Sequence, residues 1–198
     1  MQTVSILFAG VGGQGIVLAS RIVARCAFSA GYTVKESELH GMSQRGGSVI
    51  SHVRFGDVVH SPLIPKGKAG FLVALEELEG LRYSYYLKPK GIVILNEKRV
   101  MPATVNPDTN PYPEDVKARL IEMRFQVDTV NALEVSKELG NPKVENIIVL
   151  GLLSQNLPMP LSSWEETIHD SVPPGTLEIN LKAFERGREI YRAFRMSR

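Results

Sequence analysis

The sequence of 198 residues contains a single cysteine, Cys26, and this scarcity excludes several kinds of site. One cysteine cannot close an internal disulfide, and it cannot supply the several thiolate ligands of an iron–sulfur cluster or a structural zinc. We therefore expect a reducing, cytoplasmic compartment. We also expect any iron–sulfur cluster of a complex with this chain to lie on another chain.

A strong net charge is also lacking. The formal charge is +2 and the lysines and arginines are scattered along the sequence, which disfavours nucleic acid as a partner. Hydrophobic residues make up 43% and charged residues 22%, as in ordinary globular proteins, which disfavours a membrane protein. Residues Met1 to Ser20 carry no charge, but glycines interrupt them and no basic region precedes them, so we expect a buried strand and a turn rather than a signal peptide.

Recognisable catalytic and metal-binding patterns are absent as well. His40, His52 and His60 lack compact metal-ligand spacing, and no carboxylate cluster joins them, so we expect no metal site. There is no Gly-x-Ser-x-Gly nucleophile motif. The Tyr-x-x-x-Lys spacing from Tyr86 to Lys90 is broken by a proline, so hydride chemistry of the tyrosine–lysine type is unsupported. We expect no catalytic residue on this chain.

Hydrophobic spacing in the first third of the chain predicts a βαβ unit. Thr3 to Ala9 is a short apolar run that ends at a glycine, as in a buried parallel strand. Apolar residues then recur at helical spacing from Ile16 to Ala30, and Gly31 supplies a C-terminal stop. Tyr32 to Ser37 is predicted as the second strand.

The middle of the chain continues the sheet. The segments SVISHVRF and VVHSP flank Gly56-Asp57 and predict a β-hairpin inserted into the sheet. Phe71–Leu75 and Gly91–Asn96 are further apolar strands, with a helix over Glu76–Leu87 that Pro89 closes.

The last part of the chain is predicted to be mostly helical. Pro102–Pro113 reads as a surface loop, Glu114–Met123 as a helix and Phe125–Asp128 as a strand. Helices follow from Asn131, and the last, Thr176–Phe194, is amphipathic and suited to cover the sheet or a partner. The prediction is one domain over residues 1–198, α/β and Rossmann-like, with a doubly wound, mostly parallel sheet, an inserted β-hairpin and a C-terminal helical extension.

A glycine-rich turn follows the first predicted strand. Gly10 to Gly15 reads GVGGQG, which fits G-x-G-x-x-G between a strand and a helix. Such a turn exposes backbone N–H groups to an anion at the start of the helix. The alternative is a sharp turn that binds nothing. Glu36 or Glu38 lies about 20 positions further on, where a dinucleotide-binding domain places the acid for the ribose; a solvated strand end is the alternative.

A second unusual loop, HGMSQRGG, spans His40 to Gly47. An arginine beside paired glycines offers a charged fork and exposed amides, which suit phosphate or carboxylate. The loop follows the second strand, so it is expected near the glycine turn. A polar turn or a subunit contact is the alternative. Glu76 and Asn96 also follow strands, and we expect helix-start and strand-end roles for them.

Several segments together resemble the small, gamma-type subunit of 2-oxoacid:ferredoxin oxidoreductases. They are GVGGQGIVLASRIVA, HGMSQRGGSVISHVRFG, SPLIPKGKAGFLVALEELEGLRY, NIIVLGLLSQ and SVPPGTLEINLKAFERG, and they cover nearly the whole chain. The loop His40–Val49, followed by Ser51–Gly56, has the form of the indolepyruvate branch. Pyruvate and 2-oxoglutarate gamma subunits commonly carry a Gly-Pro-Glu-Met-Arg-Gly-Gly type of loop instead.

The resemblance implies a complex that oxidatively decarboxylates an aryl 2-oxoacid, reduces ferredoxin and forms an acyl-coenzyme A. Thiamine diphosphate, magnesium and the iron–sulfur clusters would belong to a large partner subunit. Coenzyme A would be a co-substrate. Neither nucleic acid nor a membrane would be a partner. The resemblance also implies that residues of the two glycine-containing loops bind a cofactor or form an interface. These candidates are Gly10, Gly12, Gly13, Gln14, Gly15, His40, Gly41, Ser43, Gln44, Arg45, Gly46 and Gly47.

Three alternatives stay open. The chain would be the gamma subunit of a pyruvate, 2-oxoglutarate or branched-chain 2-oxoacid enzyme if those enzymes share the loop His40–Val49. It would be a stand-alone dinucleotide-binding module if Gly10–Gly15 and Glu36 hold a nucleotide. An adenylating enzyme also carries a Gly-x-Gly-Gly-x-Gly loop, but the Asp-x-Asp after the second strand and the zinc or thioester cysteines of such enzymes are missing here.

Overall fold

A computed structural model of the chain describes residues 2–40, 47–101 and 111–196. Its centre is a sheet with strand order β2-β3-β1-β4-β5-β6. The strands are β1 (Val4–Val11), β2 (Thr33–His40), β3 (Ser48–Gly56), β4 (Ala69–Ala74), β5 (Leu87–Asn96) and β6 (Gln126–Val130). The helices are α1 (Ile16–Ser29), α2 (Glu77–Tyr83), α3 (Val116–Glu122), α4 (Ala132–Glu138), α5 (Glu145–Ser154), α6 (Leu161–Ser171) and α7 (Leu177–Met196).

The sheet is mostly parallel, as predicted. Strands β1, β4, β5 and β6 pair in parallel, whereas β3 pairs antiparallel with both β1 and β2. Strand β2 therefore runs parallel to β1 but is separated from it by β3. The βαβ unit exists, with an antiparallel strand inserted between its two arms.

The predicted hairpin around Gly56-Asp57 is wrong in its second arm. Residues 58–62 form no strand, and β3 pairs with β2 instead. Both edges of β3 are occupied by β1 and β2, so no edge is left for a third strand. The following segment is held by side chains: Arg54 donates to the carbonyl oxygens of Ser61 at 2.8 Å and Leu63 at 3.2 Å.

The helix predicted over Glu76–Leu87 ends earlier. Helix α2 stops at Tyr83, a 3-10 turn follows, and Pro89 lies inside β5. Strand β5 bulges here. Between the pairs Ala69–Leu87 and Phe71–Ile92, β4 has one residue and β5 has four. Proline is tolerated at a bulge because no ladder hydrogen bond is required of it.

Helices cover both faces of the sheet. One buried cluster joins the sheet to α1, α4, α5, α6 and α7, and a second joins it to α2 and α3. Helix α5 is buried at Asn146 through Ser154 because it lies between the sheet and α7. The predicted C-terminal helix therefore covers another helix. Among the described residues, none of the helices combines the length and apolar character needed to cross a membrane.

Helices α5 and α7 cross at two glycines. A Cβ atom on Gly151 would overlap the carbonyl oxygen of Phe184, and one on Gly187 would overlap the carbonyl oxygen of Ile148. The two backbones touch directly, which only glycine allows. Asn146, in the first turn of α5, contacts Gly15 of the glycine turn.

Candidate functional site

The glycine turn connects β1 to α1 as predicted. Gly13 and Gly15 have φ angles of +99° and +75°, which favour glycine, and Gly15 is the N-cap of α1. At Gly10 space is the constraint, since a Cβ atom would lie 2.7 Å from the Gln14 Oε1 atom. Backbone conformation thus favours glycine at Gly13 and Gly15, and space requires it at Gly10.

Part of the turn is satisfied internally. Gln14 folds back so that its Oε1 atom accepts from the Val11 amide at 2.8 Å, and the Gly12 amide donates to the Gly47 carbonyl at 2.9 Å. Within the described part of the chain, the amides of Gly13 and Gly15 have no protein acceptor. These two amides can donate to an anion.

The turn forms one wall of a cleft of about 390 Å³ at the carboxyl ends of the parallel strands. Helix α5 supplies the opposite wall. Asn146, which is 5% exposed, donates from its Nδ2 atom to the Gly15 carbonyl at 3.2 Å and joins the two walls. The cleft is lined by Gly13, Gln14, Gly15, Leu18, Leu75, Asn96, Lys98, Pro142, Lys143, Glu145 and Asn146.

Asn96 and an ion pair fix the floor of this cleft. Asn96 is 1% exposed, accepts from the Ala132 amide at 3.0 Å, and donates to the Leu75 carbonyl and the Glu145 Oε2 atom at 3.3 Å each. Lys98 pairs with Glu145 at 2.7 Å. Asn96 therefore has the expected strand-end role, and it also borders the crevice.

Charge in the cleft favours an anionic ligand. The Lys98 ammonium is neutralised by Glu145, whereas Lys143 has no ion-pair partner among the described residues and lines the same space. The free amides of Gly13 and Gly15 lie on the other side. Two amide donors and one ammonium can bind a phosphate or a carboxylate.

The second predicted loop lies largely outside the described residues. Gly41, Ser43, Gln44, Arg45 and Gly46 fall there. At its ends, His40 pairs with Val49 through the β2–β3 ladder, and Gly47 accepts from the Gly12 amide. The last loop residue is thus in direct contact with the glycine turn.

The predicted ribose acids have other partners. Glu36 accepts from the Ser20 hydroxyl at 2.9 Å, and Glu38 pairs with Arg21 at 3.2 Å, so both are bound to α1. Burial raises the pKa of Glu36. Strand β2 lies two strand spacings, roughly 10 Å, from β1. This arrangement disfavours a dinucleotide held in the usual manner by a glycine turn and a neighbouring acid.

A buried polar network that the sequence did not reveal lies on the other face of the sheet. Glu76, the N-cap of α2 as expected, accepts from the Glu79 amide at 2.8 Å and from the Tyr112 hydroxyl at 2.5 Å. The Ser48 hydroxyl donates to Glu79 at 2.5 Å and contacts Tyr83. Burial raises the pKa of Glu79. Ser48 follows the second loop, so this network anchors the end of that loop. Ser48 and Tyr112 lie 31 or more residues from the carboxylates that they contact, and no local pattern signals these two contacts.

His52, one of the three histidines considered above as metal ligands, has a packing role. His52 is 2% exposed, and its Nδ1 atom accepts from the Ile64 amide at 3.2 Å. Burial lowers its pKa. Across the described residues, no group of three or more His, Cys, Asp or Glu side chains is placed to hold a metal ion.

Comparison with known proteins identifies relatives along the whole chain. The family model described as pyruvate ferredoxin/flavodoxin oxidoreductase matches residues 5–190. The indolepyruvate oxidoreductase subunit IorB of Thermococcus kodakarensis is 40% identical over 192 residues, which are 94% of this chain and 95% of that protein. The 2-oxoglutarate synthase subunit KorC of Methanocaldococcus jannaschii is 35% identical over 93% of this chain and 92% of its own length.

A solved structure shares the fold. The gamma subunit of a keto/oxoacid ferredoxin oxidoreductase from Geobacter sulfurreducens superimposes with a TM-score of 0.73 at 27% identity. The match covers 96% of this chain and 99% of that subunit. The two chains therefore share one overall fold along nearly their whole length.

Proposed function

This chain belongs to the pyruvate ferredoxin/flavodoxin oxidoreductase family, and from that premise we propose that it is the small subunit of an indolepyruvate:ferredoxin oxidoreductase. The observation that carries the proposal is the 40% identity to an indolepyruvate oxidoreductase subunit along nearly the full length of both chains. The assembled enzyme would oxidatively decarboxylate an aryl 2-oxoacid, transfer the acyl group to coenzyme A and reduce ferredoxin.

A second candidate is the gamma subunit of an enzyme for 2-oxoglutarate, pyruvate or branched-chain 2-oxoacids. The 35% identity to a 2-oxoglutarate synthase subunit supports it, because this is only slightly below the identity to the indolepyruvate subunit. The loop His40–Val49 favours the first candidate. A stand-alone dinucleotide module is disfavoured because Glu36 is bound to α1.

The residues of this chain do not fit a redox centre. Cys26 is buried, its pKa is raised to about 12 by burial, and it stands alone in the sequence. We therefore assign the iron–sulfur clusters, thiamine diphosphate and magnesium to a large partner subunit. This chain would form one gamma-type domain over residues 1–198 of a cytoplasmic complex.

The cleft is the part of this chain that we assign to the ligand. The free amides of Gly13 and Gly15 and the ammonium of Lys143 would bind a phosphate group of coenzyme A. The second loop, which meets the turn at Gly47, would complete the site or contact the large subunit. The cleft volume of about 390 Å³ suits part of coenzyme A rather than the whole molecule.

Reconstitution tests the proposal. The chain is purified alone and after co-expression with the large subunit, and indolepyruvate-dependent and coenzyme A-dependent reduction of ferredoxin is measured. We expect no turnover by the chain alone and full turnover by the complex. Lys143→Ala should raise the KM for coenzyme A several-fold without changing the KM for the oxoacid, whereas Lys137→Ala, an exposed lysine on α4, should change neither. Nicotinamide turnover or a bound redox centre in the chain alone would overturn the proposal.

A further inference from the structure

Five basic residues lie at the amino-terminal ends of β4, β5 and β6, the end of the sheet opposite to the glycine turn. We call this group the cationic rim. It consists of Lys66, Lys68, Lys88, Lys90 and Arg124. These residues are scattered in the sequence, and the parallel strands bring them to the same end of the sheet.

Contacts link Lys66 to the residues before β5, and Lys88 to β4. The Lys66 ammonium lies 5.0 Å from the centre of the Tyr85 ring, and the Gly67 amide donates to the Tyr85 carbonyl at 3.1 Å. The Lys88 Nζ atom reaches to 3.9 Å from a Cβ position built on Gly70 in β4. Arg124 precedes β6, which pairs with β5 from Ile92 onward, so it lies next to the Lys90 bulge.

The rim is built by an irregular backbone. Lys88 and Lys90 lie among the four residues of β5 that face the single residue Gly70 of β4, and both are exposed. Lys90 has a φ of +59° and Arg124 a φ of +65°, which are uncommon for residues other than glycine. Lys90 and Arg124 thus both have a left-handed backbone conformation at this end of the sheet.

The charges of the rim are not neutralised by the described part of the chain. No rim residue has a carboxylate within ion-pair distance in the described ranges. Helix α7 behaves differently: Lys182, Arg186 and Arg192 each pair with a glutamate. Glu122 is an exposed carboxylate at the same edge, and the rim still leaves a net positive surface.

An apolar patch adjoins the rim. Tyr85, Ile121 and Met123 are 45%, 51% and 47% exposed. The Met123 sulfur lies 3.9 Å from the hydroxyl oxygen of Ser84, the residue before Tyr85, and the Arg124 amide donates to the Ile121 carbonyl at 2.8 Å. Exposed aromatic and methionine side chains bordered by charge are typical of protein interfaces.

We propose that the cationic rim docks the carboxylate-rich face of a protein that binds reversibly. The apolar patch of Tyr85, Ile121 and Met123 supplies the apolar contact. Four of the five rim residues are lysines, which are depleted in the cores of stable interfaces but steer association through long-range charge. The length of β4 separates this surface from the cleft by roughly 20 Å, so the two sites can be occupied independently.

A charge-reversal experiment with an acidic ferredoxin as the probe tests this proposal; the choice of probe rests on the proposed function. Affinity is measured for the full chain and for the assembled complex at about 10 mM and about 300 mM salt. Lys88→Glu and Lys90→Glu should each raise the Kd about 3- to 10-fold at low salt and much less at high salt. Lys137→Glu makes the same change in net charge away from the rim and should have little effect.

The readouts separate the possible failures. Equal Kd values for the rim variants and Lys137→Glu would overturn the proposal. Loss of the large subunit from preparations of the rim variants would also overturn it, because the rim would then be a permanent subunit contact. The Kd is read without turnover, so a complex that prefers another oxoacid refutes the substrate assignment alone. Lys88→Gln, with an intermediate effect expected, guards against a folding defect caused by charge reversal.

Discussion

Gly15 and Asn146 are 131 positions apart in the sequence, and the Asn146 amide group donates to the Gly15 carbonyl at 3.2 Å. A Cβ atom on Gly15 would overlap the Asn146 side chain, and the φ of Gly15 is +75°. One contact thus closes the cleft between the glycine turn and α5, and it requires glycine for two separate reasons.

Gly15→Ala should therefore destabilise the chain by about 3 kcal/mol or more, because strain and overlap add. Gly13→Ala, at a φ of +99° with open space around it, should cost only the strain, about 1–2 kcal/mol. Urea unfolding measures both. The double variant Gly15→Ala/Asn146→Ala should recover part of the loss, and equal costs for the two single variants would contradict the role of Asn146.

The crossing of α5 and α7 gives a second prediction. Gly187→Ala places a methyl group against the backbone of α5 and should cost about 3 kcal/mol, or a Tm lower by roughly 6–12 °C. Gly175→Ala, where nothing lies within 4 Å, should stay within about 0.5 kcal/mol of the parent chain. Thermal unfolding followed by circular dichroism distinguishes them, and similar Tm values for the two variants would refute the direct backbone contact.

Asn96 is expected to be a structural residue of the cleft floor. Asn96→Ala leaves the Ala132 amide and the Leu75 carbonyl without partners in a buried setting, and it should cost about 2–4 kcal/mol. Asn131→Ala removes an exposed N-cap bond to Glu134 and should cost about 1 kcal/mol. Denaturant titration checks the order; a smaller loss for Asn96→Ala would show that water replaces its bonds.

The pKa of Glu36 gives a pH-dependent prediction. Burial raises the pKa in the folded state above the unfolded value of 4.5, so the folded chain favours the protonated form. The cost of the buried charge is absent below the unfolded pKa and grows as the pH rises through the folded pKa. Glu36→Gln should therefore be more stable than the parent chain at pH 7, with the difference vanishing near pH 4.

Unfolding free energies across this pH range provide the measurement. Glu38→Gln is the control, since it only removes an exposed ion pair with Arg21 and should change stability by less than about 1 kcal/mol. A Glu36→Gln variant that is less stable than the parent at neutral pH would show that the Ser20 hydrogen bond outweighs burial.

Local patterns predicted the local structure. The glycine turn, the start of α1, its stop at Gly31 and the helical C-terminal part are confirmed, because turn residues and apolar spacing determine them within a few positions. The helix predicted to reach Leu87 ends at Tyr83 because a β-bulge, which depends on pairing with β4, takes over the segment around Pro89.

Long-range pairing was beyond these patterns. The predicted βαβ unit did not include β3, which lies between β1 and β2 and separates the strand of Glu36 from that of the glycine turn. The contacts of Asn146 with Gly15 and of Ser48 with Glu79 join distant segments and carry no local signal. The rim likewise forms only when parallel strands align residues that are scattered in the chain.

The ratio of kcat/KM values for indolepyruvate, 2-oxoglutarate and pyruvate, measured on the co-purified complex with ferredoxin as acceptor, tests the central claim most directly. The account predicts a value for indolepyruvate at least about tenfold above the other two, since an aryl group contributes binding that a short oxoacid lacks. A higher value for 2-oxoglutarate or pyruvate would contradict the substrate assignment, and no 2-oxoacid turnover in a complete complex would contradict the account as a whole.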